Sequence, residues 1–108
     1  MIYTIDELCS LIAPVAKRHG LKAVYVFGSY ANGNATESSD VDLLVDTTGT
    51  SLTSLFSLGQ LYCELEEALS KPIDLLTISS LEQDGRMESG LDFRERIKKE
   101  RLKIYDAA

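Results

Sequence analysis

The stretch Val26-Phe27-Gly28-Ser29-Tyr30-Ala31-Asn32-Gly33-Asn34-Ala35-Thr36-Glu37-Ser38-Ser39-Asp40-Val41-Asp42-Leu43-Leu44-Val45-Asp46 decides the reading of the 108-residue chain. Its left end closes a short run, residues 23–27, that is rich in Val and aromatics and stops at Gly28, the pattern of a buried strand entering a tight turn. Residues 32–39 have the composition of a loop. Residues 41–45 form a second apolar run, interrupted by Asp42 and bounded by Asp40 and Asp46, and read as a strand that carries acids on one face.

Downstream, Pro72 opens a third strand through residue 77, since proline is tolerated at a strand's first position, and this strand carries Asp74 between Ile73 and Leu75. With eight Asp in the chain, about 0.6 Asp-x-Asp matches are expected by chance. Requiring Gly-Ser at the same upstream offset lowers the expectation to about 0.004, so the combination carries information that the pair alone does not. Alternation along a strand turns Asp40 and Asp42 to one face, and Asp74 reaches the same point if its strand pairs alongside. Three carboxylates beside an apolar sheet repel one another, and hard divalent cations, Mg²⁺ first among them, are the usual remedy. Two such ions clamp the attacking and leaving oxygens of an in-line displacement at phosphorus, which is phosphoryl or nucleotidyl transfer. Gly28 lets the backbone approach a phosphate, and Ser29 adds a hydroxyl and an N–H at the start of a short helix. The ordinary alternative is that Asp40 caps the strand, Asp42 faces solvent and Gly28-Ser29 is a common turn. That alternative leaves acids inside two apolar strand patterns unexplained.

The flanking segments supply helices. Thr4 followed by Glu7 is a capping-box pattern, and Ile5, Leu8, Ile12, Val15 and Ala16 recur at helical spacing until Gly20 closes the helix. Pro14 lies inside that pattern and predicts a kink or break. His19, the only histidine, stands where a cation favours a helix C-terminus. Ser51 is the expected cap of a longer helix whose apolar stripe is Leu52, Leu55, Phe56, Tyr62, Leu65 and Leu69. Residues 79–90 are weakly patterned, residues 91–100 look helical, and Leu102, Ile104 and Tyr105 make a final edge strand or a packed tail. The expected fold is α/β (α+β), a small mixed β-sheet flanked by helices in a single domain over residues 1–108.

Composition narrows the class. A hydrophobic fraction of 44% and a charged fraction of 26% are those of a globular chain. A net charge of −6 argues against direct nucleic-acid binding, which needs a basic footprint. The charge is uneven: residues 1–92 balance to −9, and residues 93–108, with Arg94, Arg96, Lys98, Lys99, Arg101 and Lys103, to +3. That basic end is either a solvated helix face or a contact for an acidic partner or phosphates. Cys9 and Cys63 have no metal-ligand spacing and are expected to be buried free thiols. No apolar run is long enough to span a bilayer, and a cytoplasmic location is expected.

The residues VFGSYANGNATESSDVDLLVD, IDLL downstream and RERIKKERLKIYD near the end resemble the minimal nucleotidyltransferase (MNT) family of the DNA polymerase β-like superfamily over nearly the whole chain. The resemblance implies that Asp40, Asp42 and Asp74 are catalytic metal ligands for two Mg²⁺ ions, with Asp74 also helping to deprotonate the attacking hydroxyl, and that Gly28 and Ser29 bind the triphosphate. It implies ATP as the nucleotide and AMP as the group transferred. Where many relatives carry an Arg near the turn, this chain has no Lys or Arg between Gly28 and Asp40. Minimal members resemble the antitoxin half of a pair whose partner is an all-helical HEPN-type toxin, with a tyrosine of the toxin as acceptor. Two other readings stay open at this point: a non-catalytic antitoxin that neutralises its partner by complex formation, and a small-molecule nucleotidyltransferase.

Overall fold

The first helix starts where two groups cap each other. The Thr4 hydroxyl accepts the Glu7 N–H at 3.1 Å, and the Glu7 carboxylate accepts the Thr4 N–H at 2.8 Å, so two N-terminal amides that a helix cannot satisfy internally are both paired. The computed structural model describes residues 2–50, 54–78 and 100–107, and this helix, α1, spans Ile5–His19. Gly20 ends it in the left-handed conformation at φ 68°, its N–H bonded to the Ala16 and Lys17 carbonyls. The helix runs through Pro14 without a break. The carbonyl deprived of a donor by Pro14 belongs to Ser10, which is exposed, so water can take the place of the missing N–H.

Strand β1, Ala23–Phe27, follows, then a single helical turn α2, Ser29–Asn32, and strand β2, Val41–Asp46. Helix α3, Leu55–Leu69, leads to strand β3, Ile73–Thr77, and strand β4, Leu102–Asp106, closes the sheet. The spatial order is β3-β2-β1-β4. β1 is antiparallel to β2 and to β4, and β2 is parallel to β3, with α3 as the crossover between them. The mixed sheet expected from the sequence is therefore present, and Leu102 to Asp106 form its edge strand rather than a loose tail.

The two sheet faces differ. Val41, Leu43 and Val45 of β2 join Leu8, Ile12 and Ala16 of α1 and Leu61, Leu65 and Leu69 of α3 in the main core. Burying a side chain of this size contributes roughly 1.5–3 kcal/mol each, which makes this layer the principal stabiliser of the sheet. On the other face Leu44 and Phe27 pack with Tyr25, Leu76 and Ile78. Because β2 is buried on both sides, its sequence reads as a nearly continuous apolar run, and the one half-buried polar residue in its middle, Asp42, stands out.

Three expectations need correction. The cap of α3 is Ser54, whose hydroxyl accepts the Ser57 N–H at 3.1 Å, not Ser51. Ser51 and Leu52 lie outside the described residues. Leu55 and Phe56 are 90% and 79% exposed and do not belong to the core stripe, which α3 enters only from Leu61 onward, with Leu65 and Leu69. Cys63 is exposed and Cys9 only half-buried, since Cys63 is on the outward side of α3, two positions from the inward Leu61 and Leu65. The helix expected over residues 91–100 and the weakly patterned segment 79–90 fall, but for Glu100, outside the described residues. His19 has the structural role expected of it: at the end of α1, its Nε2 lies 2.6 Å from a Glu64 carboxylate oxygen, and Arg18 pairs with the same carboxylate, joining α1 to α3. Among the described residues no helix is long and apolar enough to cross a membrane.

Candidate active site

Pairing in the sheet sets two of the predicted residues side by side. Asp42 of β2 is the register partner of Asp74 on β3 and of Phe27 on β1, so the residue before Gly28 and the two acids form one row across three strands. Asp42 and Asp74 share a sheet face, as paired residues on neighbouring strands do. Gly28 follows Phe27 with φ 70° and ψ −145°, a backbone conformation open to glycine and hardly to any other residue. The reason is steric as well as conformational. A Cβ at residue 28 would lie 2.2 Å from Asp42 Oδ2, so the Asp42 carboxylate occupies the volume that a side chain would need.

Ser29 opens α2, and its carbonyl accepts the Asn34 N–H at 2.9 Å, while the Gly28 carbonyl accepts the Asn32 N–H at 3.1 Å. The chain thus folds back tightly toward the loop that delivers Asp40. Asp40 is exposed and immediately precedes β2, two residues from Asp42.

The electrostatics of the group show how crowded it is. Burial lifts the Asp42 carboxyl to about 6, and a hydrogen bond with Asp74 together with the negative charges of Asp74 and Asp40 pushes in the same direction. A hydrogen bond between two carboxyl groups requires a proton on one of them. Each of these effects favours the protonated form of Asp42 over the ionised one. Asp46, the remaining acid of β2, has different surroundings: its Oδ1 accepts the Thr48 N–H at 3.0 Å and the Thr48 hydroxyl at 2.6 Å. Burial acts against ionisation there, but these bonds and the charges of Lys22 and Arg101 outweigh it and hold the carboxyl below its ordinary range. Asp46 closes a turn and takes no part in the acid row.

A cleft of about 650 Å³ opens over the row, and Gly28, Ser29, Asp42 and Asp74 all line it. Asp40 is felt there through its charge on Asp42 rather than as part of the wall. The sequence reading missed the rest of the lining: Phe27, Leu75 and Leu76 as apolar wall, Asn32 and Asn34 as amides from the turn, and Glu100 ahead of β4. Only the tertiary arrangement, with β2 paired to β1 on one side and to β3 on the other, brings these residues together, since none stands in a spacing pattern of its own.

Among the described residues no three metal-ligating side chains are gathered closely enough to hold an ion. Asp42 and Asp74 stand side by side on neighbouring strands, and Asp40 is exposed just ahead of β2. The donor set itself is all carboxylate oxygen, the chemistry of Mg²⁺ rather than of a thiophilic or imidazole-seeking metal.

Comparison with known proteins places this geometry. Residues 8–104 match the family model described as the nucleotidyltransferase domain. The chain is 42% identical over 77 residues to a candidate protein adenylyltransferase of Methanocaldococcus jannaschii, covering 71% of this chain and 81% of that one. It is 39% identical over 82 residues to the protein adenylyltransferase MntA of Thermococcus cleftensis, covering 72% of this chain and 81% of the relative. In fold it is similar to a chain of the solved complex between a tri-AMPylated HEPN toxin of Shewanella oneidensis and an MNT antitoxin, with a TM-score of 0.64, 17% identity, and coverage of 96% of this chain and 74% of that one.

Proposed function

The chain belongs to the nucleotidyltransferase domain family as a minimal nucleotidyltransferase, and on that premise we propose that it transfers AMP from ATP to a hydroxyl, that of a tyrosine, on a HEPN-type toxin and so acts as its antitoxin. The observation that carries the reading is the row Asp74–Asp42–Phe27 with Gly28 cut away to admit the Asp42 carboxylate, all facing one cleft. The relatives named as protein adenylyltransferases and the fold neighbour solved with an AMPylated toxin support the acceptor class.

In this reading Asp40, Asp42 and Asp74 would hold Mg²⁺, two ions in all. Bound there, Mg²⁺ would neutralise charge on the triphosphate and on the leaving pyrophosphate. The Gly28 and Ser29 backbone and the Ser29 hydroxyl receive the triphosphate, and Asn32 and Asn34 supply neutral donors where many relatives have an arginine. Phe27, Leu75 and Leu76 limit water beside the reacting phosphate. Asp74 takes the proton of the incoming hydroxyl. The hydroxyl oxygen then bonds to the α-phosphorus, the bond from that phosphorus to the α,β-bridging oxygen breaks, and pyrophosphate departs.

The test is to incubate the chain with Mg²⁺, each of the four ribonucleoside triphosphates in turn and the HEPN-type partner, and to map the modified residue by mass spectrometry. One or more AMP groups on a tyrosine, absent with Asp42→Asn, is the expected result. An unmodified partner that is nonetheless neutralised in a stable complex would favour the non-catalytic reading.

A further inference from the structure

Lys71 lies in the tight connection between α3 and β3, flanked by Ser70, whose φ of 52° makes it the one non-glycine in the left-handed region among the described residues, and by Pro72. From there its Nζ donates to the Tyr30 hydroxyl at 3.2 Å and to the Glu37 carbonyl at 3.2 Å, and it stands 5.7 Å from the centre of the Tyr30 ring. Tyr30 is buried in α2, the turn that begins with Ser29. Glu37 lies in the exposed loop three residues before Asp40, and Lys71 itself is three residues before Asp74. The neighbouring Pro72 carbonyl accepts the Val41 N–H at 3.3 Å, fastening the other end of the same loop. One ammonium group therefore bridges the three segments that carry Ser29, Asp40 and Asp74, although it does not line the cleft.

We propose that Lys71 is a positioning residue that locks the loop of residues 33–40, and with it Asp40, against α2 and the start of β3. A charged donor bonded to a neutral carbonyl and a phenol makes stronger hydrogen bonds than a neutral one. At its start the loop is tied to α2 by the Asn34 N–H on the Ser29 carbonyl and packs Ala35 against the main core, while its stretch next to Asp40 bonds within itself, through Thr36 N–H to Ser39 Oγ at 2.9 Å and Ser39 N–H to the Thr36 carbonyl at 3.0 Å. Anchoring matters at this position because Asp40 must approach two other anions, and a loose loop relaxes away from them. The anchoring stands on the bonds just given. Its consequence for metal binding rests on the reading of Asp40 as a ligand.

Amide hydrogen exchange and Mn²⁺ binding, measured on the full chain as Lys71→Met, Lys71→Arg, Tyr30→Phe and Asp40→Asn, separate the two. Exchange at residues 36–41 should quicken about tenfold in Lys71→Met and less in Tyr30→Phe, return toward wild type in Lys71→Arg, and stay unchanged in α1 in each case. Mn²⁺ should bind about five- to twentyfold more weakly to Lys71→Met, and nucleotidyl transfer lost at limiting Mg²⁺ should return at saturating Mg²⁺. Unaltered exchange at residues 36–41 in Lys71→Met overturns the proposal whatever the metal result. So does a uniform rise in exchange across α1 and the sheet, which marks Lys71 as a general stabiliser. Faster loop exchange with Mn²⁺ binding indifferent to Asp40→Asn upholds the anchor and removes Asp40 from the metal site.

Discussion

The Cβ that Gly28 lacks would stand 2.2 Å from Oδ2 of Asp42. The two residues are fourteen apart in sequence, yet the antiparallel pairing of Phe27 with Asp42 sets them one against the other. Glycine at this point serves the acid at least as directly as it serves a phosphate.

Gly28→Ala should therefore damage the site through Asp42. The substitution forces the carboxylate aside and also strains a backbone at φ 70°. Transfer activity should fall at least about a hundredfold and stability by about 1–3 kcal/mol. A double-mutant cycle with Asp42→Gly separates the two costs: the stability loss from Gly28→Ala should shrink in that background, leaving the backbone part. Strict additivity in denaturant titrations would show that the clash is not what demands glycine.

Asp42→Asn should stabilise the metal-free protein at neutral pH. An acid whose folded value is raised from 3.8 to about 6 is a liability once ionised. The penalty is absent below about pH 4, grows between 4 and 6, and is complete above 6. Asparagine keeps a donor for Asp74 and removes the charge. Since the side chain is partly solvated, the gain at pH 7.5 should be about 1 kcal/mol rather than the full value of the shift, and it should vanish by about pH 4. Thermal melts across that range check the sign, and a mutant less stable than wild type at pH 7.5 contradicts it.

Metal binding should show the same proton. A ligand that holds a proton up to about pH 6 must release it before coordinating a cation. The Mn²⁺ affinity of the wild type should drop as pH falls through 6, about tenfold per unit below it, with protons released on binding that calorimetry in buffers of different ionisation enthalpy can count. Affinity that stays flat from pH 7 to 5 would exclude Asp42 as a ligand.

Much of this was legible in the chain itself. The capping box of Thr4 and Glu7, the stop at Gly20 and the strands around Val26, Leu43 and Leu75 follow from local spacing, because the groups concerned interact within one turn or alternate along one strand, whereas the convergence of Asp42 with Asp74 depended on β3 pairing alongside β2, which it does. Phe56 shows where local spacing stops being informative. Helical periodicity assigns it to a stripe, but tertiary packing decides which turns of the stripe are covered, and Phe56 is 79% exposed. Phe56→Ser should accordingly change stability by no more than about 0.5 kcal/mol, whereas Leu65→Ala, fully buried, should cost about 2–5 kcal/mol. Lys71 was equally invisible: its partners Tyr30 and Glu37 are 41 and 34 residues away, and no pattern along the chain connects them.

The central claim is nucleotidyl transfer, and the position of a label in ATP tests it most directly. The chain, Mg²⁺ and the HEPN-type partner are incubated in parallel with ATP radiolabelled at the α-phosphate and at the γ-phosphate. The account predicts that the α-label becomes covalently attached to the partner, that the γ-label leaves in pyrophosphate, and that Asp42→Asn abolishes the attachment. Attachment of the γ-label in place of the α-label would mean phosphoryl transfer and would contradict it.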